Sequence, residues 1–383
     1  MSWRAFLMLT IGASIGQLAA ARAEEPFGQE KVETREFRTP QKLKGHSHAH
    51  GAHDHGHGHG HGHGHDRGGH DHGEGGHDHA HGVETENLFG FTLGSDTDEA
   101  GAKGLAVENV FRTGKRIGAY RALGSKLEFA YAVTDDFSFS MSALGDCHRI
   151  RDVPEFDDVR RRCAFNGIGG EVRWRFLNRN TSPFGLTLHL EPSFARFDEE
   201  SGHVGRKLGS ENKLIFDKEL VPDTLFGAVN LLYEPERMRE RFAFSTERGA
   251  NAGVAGALAL RVSPIAFVGG EVRYLRAYEG LGLRRYQGDA VYVGPTAFVK
   301  LGDTGWLQAA WNAQVTGREV PDRRERAAAI VEAVNDNAAA VADAVAAGED
   351  PPALVLPDFP GRRRLNLRNF ERHQFRLKTG FEF

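Results

Sequence analysis

The chain has no uninterrupted apolar run of the roughly 20 residues that a helix needs to cross a bilayer; the apolar stretch within residues 1–23 is shorter and broken by polar residues, and no other segment could span as a helix. There are only two cysteines, Cys147 and Cys163, and neither follows the N-terminal apolar stretch, which removes anchoring through a lipidated cysteine. Charge of one sign is also missing: 48 Lys and Arg stand against 52 Asp and Glu, a net −4, so no nucleic-acid partner is expected. The mean hydropathy of −0.44 taken alone describes an ordinary soluble protein. It misleads for one class, the transmembrane β-barrel, because every second strand residue there faces a polar lumen.

What is present points to that class. Residues 1–23 carry Arg4, then an apolar stretch broken by Gly12, Ser14, Gly16 and Gln17, then Ala21-Arg22-Ala23, and read as a secretory signal peptide. At the other end Phe375, Leu377, Phe381 and Phe383 point one way, while Arg372, Arg376, Lys378 and Glu382 point the other. A strand with one apolar and one charged face, ending on an aromatic, reads as the closing strand of an outer-membrane barrel. Phe381 and Phe383 are the expected signal to the barrel assembly machinery.

Four zones follow the signal peptide: a polar linker (24–44), a His/Gly tract (45–82), a pre-barrel segment (83–103) and a barrel (104–383). Short turn signals such as Thr134-Asp-Asp136, Ser263-Pro264 and Gly302-Asp-Thr-Gly305 alternate with longer polar stretches at 113–118, 149–162, 198–205, 235–242 and 279–288. That pattern predicts an all-β, up-and-down antiparallel barrel of about 12 strands behind a disordered tail. The strands are expected to start near Leu105, Ala119, Phe137, Cys163, Phe184, Arg206, Leu225, Ala243, Ile265, Asp289, Trp306 and Asn369. An even number places both barrel ends in the periplasm. Parity therefore makes Leu88-Phe-Gly-Phe-Thr-Leu93 a pre-barrel or lumen-facing segment and not a thirteenth strand. A helix over 322–347, with Ile330, Val334, Val341 and Val345 on one stripe, is expected inside the loop insertion 319–368 as a solvated surface helix.

Gly118-Ala-Tyr-Arg-Ala-Leu123, the stretch from Val221-Pro-Asp-Thr224 to Tyr233-Glu-Pro235, the stretch from Gly269-Gly-Glu-Val-Arg273 to Gly280-Leu-Gly282, and Asn369-Phe-Glu-Arg-His373 carry a resemblance. With these residues the chain from about Glu86 onward resembles a group of proteobacterial outer-membrane barrels that bear a His-rich stretch between signal peptide and barrel. The group has no established activity, so the resemblance implies fold and location only. The insertion departs from it, since the resembling proteins use a short loop there.

The strongest chemical signal is the tract, with His46, His48, His50, His53, His55, His57, His59, His61, His63, His65, His70, His72, His77, His79 and His81 on a glycine-rich backbone. Zn²⁺, Ni²⁺ and Cu²⁺ accept imidazole nitrogen, and a chain without a preferred conformation offers many weak, interchangeable sites in place of a rigid one. A solubilising spacer and a pH sensor are the other readings of the same residues. The lumen is expected to hold Glu128, Glu171, Arg173, Arg175, Glu191, Glu211, Lys213, Arg261, Glu271, Arg273, Lys300, Arg376 and Lys378. Both signs are present, unlike the single-sign lining of a strongly selective channel. Gly-Gly-Glu-Val-Arg occurs twice, at 169–173 and 269–273, as one solution to one local problem: glycine for close packing beside a lumenal Glu and Arg. Cys147 and Cys163, in an oxidising compartment and flanking one outer loop, are expected to form a disulfide.

Catalysis is not expected. His148 is read as a solvent-exposed rim histidine with Asp146 and Asp152 nearby and no nucleophile arrangement. The functional expectation is a porin-like or transporter-like barrel whose partners are outer-membrane lipid and metal ions. A closed structural or adhesive barrel, or a rim-active enzyme, are the alternatives.

Overall fold

The computed structural model describes residues 83–241, 246–320, 323–350, 352–355 and 364–383. The signal peptide, the linker and the His tract lie outside the described residues. Those described form twelve antiparallel strands closed into a barrel. They are β1 (Lys103–Thr113), β2 (Ala119–Thr134), β3 (Phe137–Arg151), β4 (Val159–Leu177), β5 (Gly185–Phe197), β6 (Val204–Val221), β7 (Leu225–Glu240), β8 (Thr246–Ser263), β9 (Ala266–Glu279), β10 (Arg285–Leu301), β11 (Gly305–Glu319) and β12 (His373–Glu382). Each strand pairs with its neighbours in sequence, and β1 closes on β12 with Leu105 opposite Phe381 and Phe111 opposite Phe375.

Period-two alternation is what makes these segments strands of a wall with two chemistries. On β9, Val268 and Val272 are exposed on the outside, while Phe267, Glu271 and Arg273 are buried inside. On β4, Trp174 and Phe176 face out and Arg173 faces in. The exposed residues include Met141, Ile168, Leu231, Leu258, Val293, Trp311 and Phe375, spread over the strands as an apolar outer surface. At the seam Trp311 stacks on Phe375, ring centres 5.9 Å apart, and Phe111 lies 6.1 Å from Phe375 on the other side.

Three details differ from the sequence expectation. Much of the polar stretches at 149–162 and 235–242 is strand, because β4 starts at Val159 and β7 runs to Glu240. Backbone pairing continues past the apolar band, so polar composition there does not end the strand. The connection between β4 and β5, residues 178–184, is as long as any on the opposite rim apart from the insertion, so loop length alternates less strictly than expected. The last strand begins at His373, since 364–372 turns back into the barrel mouth. The insertion carries helix α1 (Arg323–Ala347), with Ile330, Val334 and Val345 exposed and Asn337 exchanging hydrogen bonds with the backbone of Val355.

Candidate functional site

Leu88-Phe-Gly-Phe-Thr-Leu93 is not a strand. It is folded inside the barrel toward the end that carries the shorter turns, with Leu88, Phe89 and Leu93 all buried. Its apolar residues pack on Phe226, Phe267, Phe298 and Trp306, which point inward from β7, β9, β10 and β11. Its backbone polar groups would be orphaned there, and the wall supplies a partner for many of them. The carboxylate of Glu271 accepts from Phe91 N at 3.1 Å, Thr92 N at 2.9 Å and Thr92 Oγ1 at 3.0 Å. Asn230 accepts from Leu93 N at 2.8 Å and donates to Leu93 O at 2.9 Å. Gln308 and Arg376 both donate to Gly90 O, at 2.9 and 2.6 Å. Arg173 donates to Gly94 O and Asp96 O, at 2.7 and 2.9 Å. Asp217 receives Ser95 N at 3.1 Å and the hydroxyls of Ser95 and Thr85.

Gly90 is required by this docking. A Cβ there would stand 2.6 Å from Glu271 Oε1 and 2.7 Å from Thr296 Cγ2. The repeated pentapeptide acquires a role in the same place. Its first copy sends Arg173 to the segment's carbonyls, and its second sends Glu271 to the amides while Arg273 lies 4.0 Å over the Phe91 ring. In the second copy Gly269 passes close to β8, where a Cβ would meet Leu258 O at 2.1 Å.

The carboxylates of this inner segment are strongly perturbed. Burial pushes Glu86 up to about 7, helped by the charge of Asp98 and opposed by the guanidinium of Arg173. Burial, with Glu84 nearby, pushes Asp98 up to about 6. Asp96 is raised by burial, against Arg179, whose Nη1 lies 2.9 Å away.

The opposite end is narrowed by its own connections. Tyr120 donates to Glu200 O at 3.0 Å, and Arg112 Nη2 reaches Glu199 at 3.3 Å while its Nε lies 3.6 Å from Glu371. Tyr292 donates to Glu371 O at 2.6 Å and Gln314 to Asn366 O at 3.0 Å, which fold 364–372 into the mouth. Between inner segment and outer cap lies a cavity of about 280 Å³. Its lining includes Glu171, Arg173, Glu191, Arg273, Arg376 and Lys378.

Each lumenal residue expected from the sequence can be placed, with Lys300 half-buried at the shorter-turn end of β10. Glu171, Arg173, Glu191 and Lys126 form one charged group: Lys126 Nζ lies 2.9 Å from Glu191 Oε1 and 3.0 Å from Glu128. Glu211 pairs with Lys213. Arg376 donates to Glu108 at 2.9 Å, and Lys378 to Asn87 at 3.0 Å. Arg175 sits at the shorter-turn end on Asp136, at 2.8 Å. Arg261 lies over Phe267. Cys147 and Cys163 stand opposite one another on β3 and β4 and are joined by a disulfide. Phe381 is partly buried at the seam and Phe383 is exposed, their rings 5.5 Å apart. All fifteen tract histidines lie outside the described residues.

His148 corrects an expectation. It is not a solvent-exposed rim histidine but 2 % exposed, because the β5–β6 connection folds over it and Glu199 O lies 2.9 Å from its Nε2. Its ring packs edge-on against Phe197, Asp146 is taken by Asn166 at 2.7 Å, and Asp152 is exposed on its loop. Sequence reading also missed Asn230 and the inward aromatics, and gave Gln308 and Asn312 only as inward-facing. Their signal is phase: Phe267 shares the parity of Glu271 and Arg273, and Trp306 that of Gln308 and Asn312, so aromatics lie where lumenal residues belong.

Residues 81–333 match the model of a family described as "Family of unknown function (DUF6662)". The chain belongs to this family. No curated protein matches it. Among solved structures, this member of DUF6662 is similar to the COG4313 outer membrane channel from Pseudomonas putida F1, at 11 % identity over 76 % of this chain and 98 % of that one, TM-score 0.45. It is similar to the NanC porin at 10 % identity over 72 % and 98 %, TM-score 0.36. The toluene transporter TodX of Pseudomonas putida aligns at 9 % identity over 79 % and 98 %, TM-score 0.33.

Proposed function

We propose that this chain is an outer-membrane barrel of the porin or transporter kind, with its shorter turns in the periplasm, and that residues 45–82 bind divalent transition metal there. The observation that carries the reading is the division of the wall. Large apolar side chains such as Met141, Ile168, Trp174 and Leu258 stand exposed outside, while charged and amide side chains enclose a cavity of about 280 Å³. An apolar exterior around a polar interior inverts a soluble fold and suits a strand-built wall in lipid. The inner segment fills the shorter-turn end in the described state, so passage of a solute through that end requires it to move.

The same closure supports a second reading, a structural barrel that conducts nothing. Planar-bilayer recording on the purified chain separates the two: discrete conductance steps support the pore, and a silent bilayer with correctly inserted protein supports the closed barrel. The tract is tested by titration calorimetry with Zn²⁺, Ni²⁺ and Cu²⁺ on the full chain beside a chain lacking 45–82. Several weak ions lost with the tract are expected, weakening below about pH 6 as protons compete for imidazole. Equal stoichiometry in the two proteins removes the tract from the function.

A further inference from the structure

The cavity wall carries an arrangement that the pairing network around it does not use up. Pairing of Gly169 with Ser193 and of Val172 with Leu190 sets Glu171 opposite Glu191, and Glu191 is itself opposite Glu211. Like charges directly opposite on one face of a sheet repel, so a wall that lines them up gains from a cation between them. Lys126 and Lys213 supply part of that charge, but each engages one side of the row.

The details are specific between β4 and β5. Glu191 Oε1 faces Lys126 Nζ at 2.9 Å, and Glu171 Oε1 faces Arg173 Nη1 at 3.9 Å. The second oxygens both turn to the His189 imidazole: Nε2 lies 3.3 Å from Glu171 Oε2 and 3.8 Å from Glu191 Oε2. His189 is 1 % exposed, and its Nδ1 has no hydrogen-bond partner. Three ligand-capable atoms, one nitrogen and two oxygens, thus converge within 4.8 Å of one another beside the cavity. The cations behind the carboxylates hold their outer oxygens and aim the inner ones, as outer partners do at metal sites. Ligands about 2.0–2.2 Å from a tetrahedral ion stand about 3.3–3.6 Å apart, close to the 3.3 and 3.8 Å that separate His189 Nε2 from the two oxygens.

We propose that Glu171, His189 and Glu191 form a lumenal site for one divalent transition cation of the Zn²⁺ class, with a fourth position open to the cavity. The imidazole selects this class over Ca²⁺ and Mg²⁺, which take oxygen ligands in larger number. The site stands on wall geometry alone and does not rest on metal binding by residues 45–82. It places a stopping point for an ion inside the barrel, between the inner segment and the outer cap.

The test is anomalous diffraction at the zinc edge from crystals of the full chain soaked in ZnCl₂, with a CaCl₂ soak as the control. One zinc peak is expected about 2.0–2.2 Å from His189 Nε2 and the inner oxygens of Glu171 and Glu191, absent with calcium and lost in His189→Gln and Glu171→Gln. Ions held by residues 45–82 are read separately, since they leave this position in the anomalous map empty. An empty cluster at saturating zinc in the wild-type crystal overturns the proposal without any variant. So does a peak that survives His189→Gln, which would leave His189 as an ion-pair partner of the two glutamates only.

Discussion

Both ends of the barrel have chain folded into the lumen, but by different means. At the shorter-turn end the closure is a separate segment, residues 83–98, held by wall side chains far away in sequence: Glu271 lies 179 residues from Thr92 and Arg376 lies 286 from Gly90. At the other end the lumen is narrowed by the strand connections and by residues 364–372 of the insertion, and a disulfide ties β3 to β4 beneath them. The inner segment joins the wall through β1 and is otherwise held by side chains, whereas the outer connections run directly into the strands they join. The difference makes the side-chain anchors of 83–98 the place where the two ends can be perturbed separately.

The sharpest way to break the contrast is Glu271→Ala. It removes the acceptor from Phe91 N, Thr92 N and Thr92 Oγ1, each worth about 1–3 kcal/mol when left buried and unpaired. Release of the segment should appear as larger or more frequent conductance steps and as faster hydrogen exchange over 83–98, with the wall strands still protected. Unchanged exchange there would show that the segment does not depend on this anchor.

Cys147→Ser probes the other end. The cysteines are 16 residues apart, and closing a loop of that size contributes up to about 3 kcal/mol in the chain-entropy model. Thermal unfolding of the variant, or of reduced wild type, should fall accordingly, while exchange over 83–98 stays as it was. Loosening of both ends together would mean they are one cooperative unit.

A smaller effect is expected from Gly90→Ala. Its methyl group would press on Glu271 Oε1 and Thr296 Cγ2, an overpacking that costs about 1–3 kcal/mol. Segment exchange should rise by less than in Glu271→Ala, with the order of the two reversed only if steric fit outweighs the carboxylate.

pH gives the mildest perturbation. Glu86 and Asp98 are raised to about 7 and about 6 in the docked segment, so docking takes up protons. A raised acid stabilises the docked state fully at low pH, and that contribution is lost as pH climbs from about 4, the free-chain value, through the docked values. Residues 83–98 should therefore exchange more slowly at pH 5 than at pH 8 after correction for intrinsic rates. Equal or greater protection at pH 8 would contradict the assignment. The outer connection gives no matching shift of one sign, since Lys207 and Ser201 hold Asp198 below its ordinary range while burial raises Glu200 in the same loop well above its own.

How much of this was legible before folding follows from the range of each interaction. Strand number, order and facing are properties of residues two apart. They could be read because Val172, Trp174 and Phe176 alternate with Glu171, Arg173 and Arg175 along one strand. Parity then excluded Leu88-Phe-Gly-Phe-Thr-Leu93 from the wall. The fate of that hexapeptide depended on Asn230, Glu271, Gln308 and Arg376, which alternation marks only as inward-facing and does not connect to any partner. The same limit hid His148, whose burial comes from a loop fifty residues on, and the meeting of Glu171, His189 and Glu191, which depends on the register of β4 against β5. Sequence by itself determined a twelve-strand wall with two chemistries, because a period of two is local. Tertiary structure alone decided what fills the lumen and which charges face one another across it, because register and loop entry are set only when the ring closes.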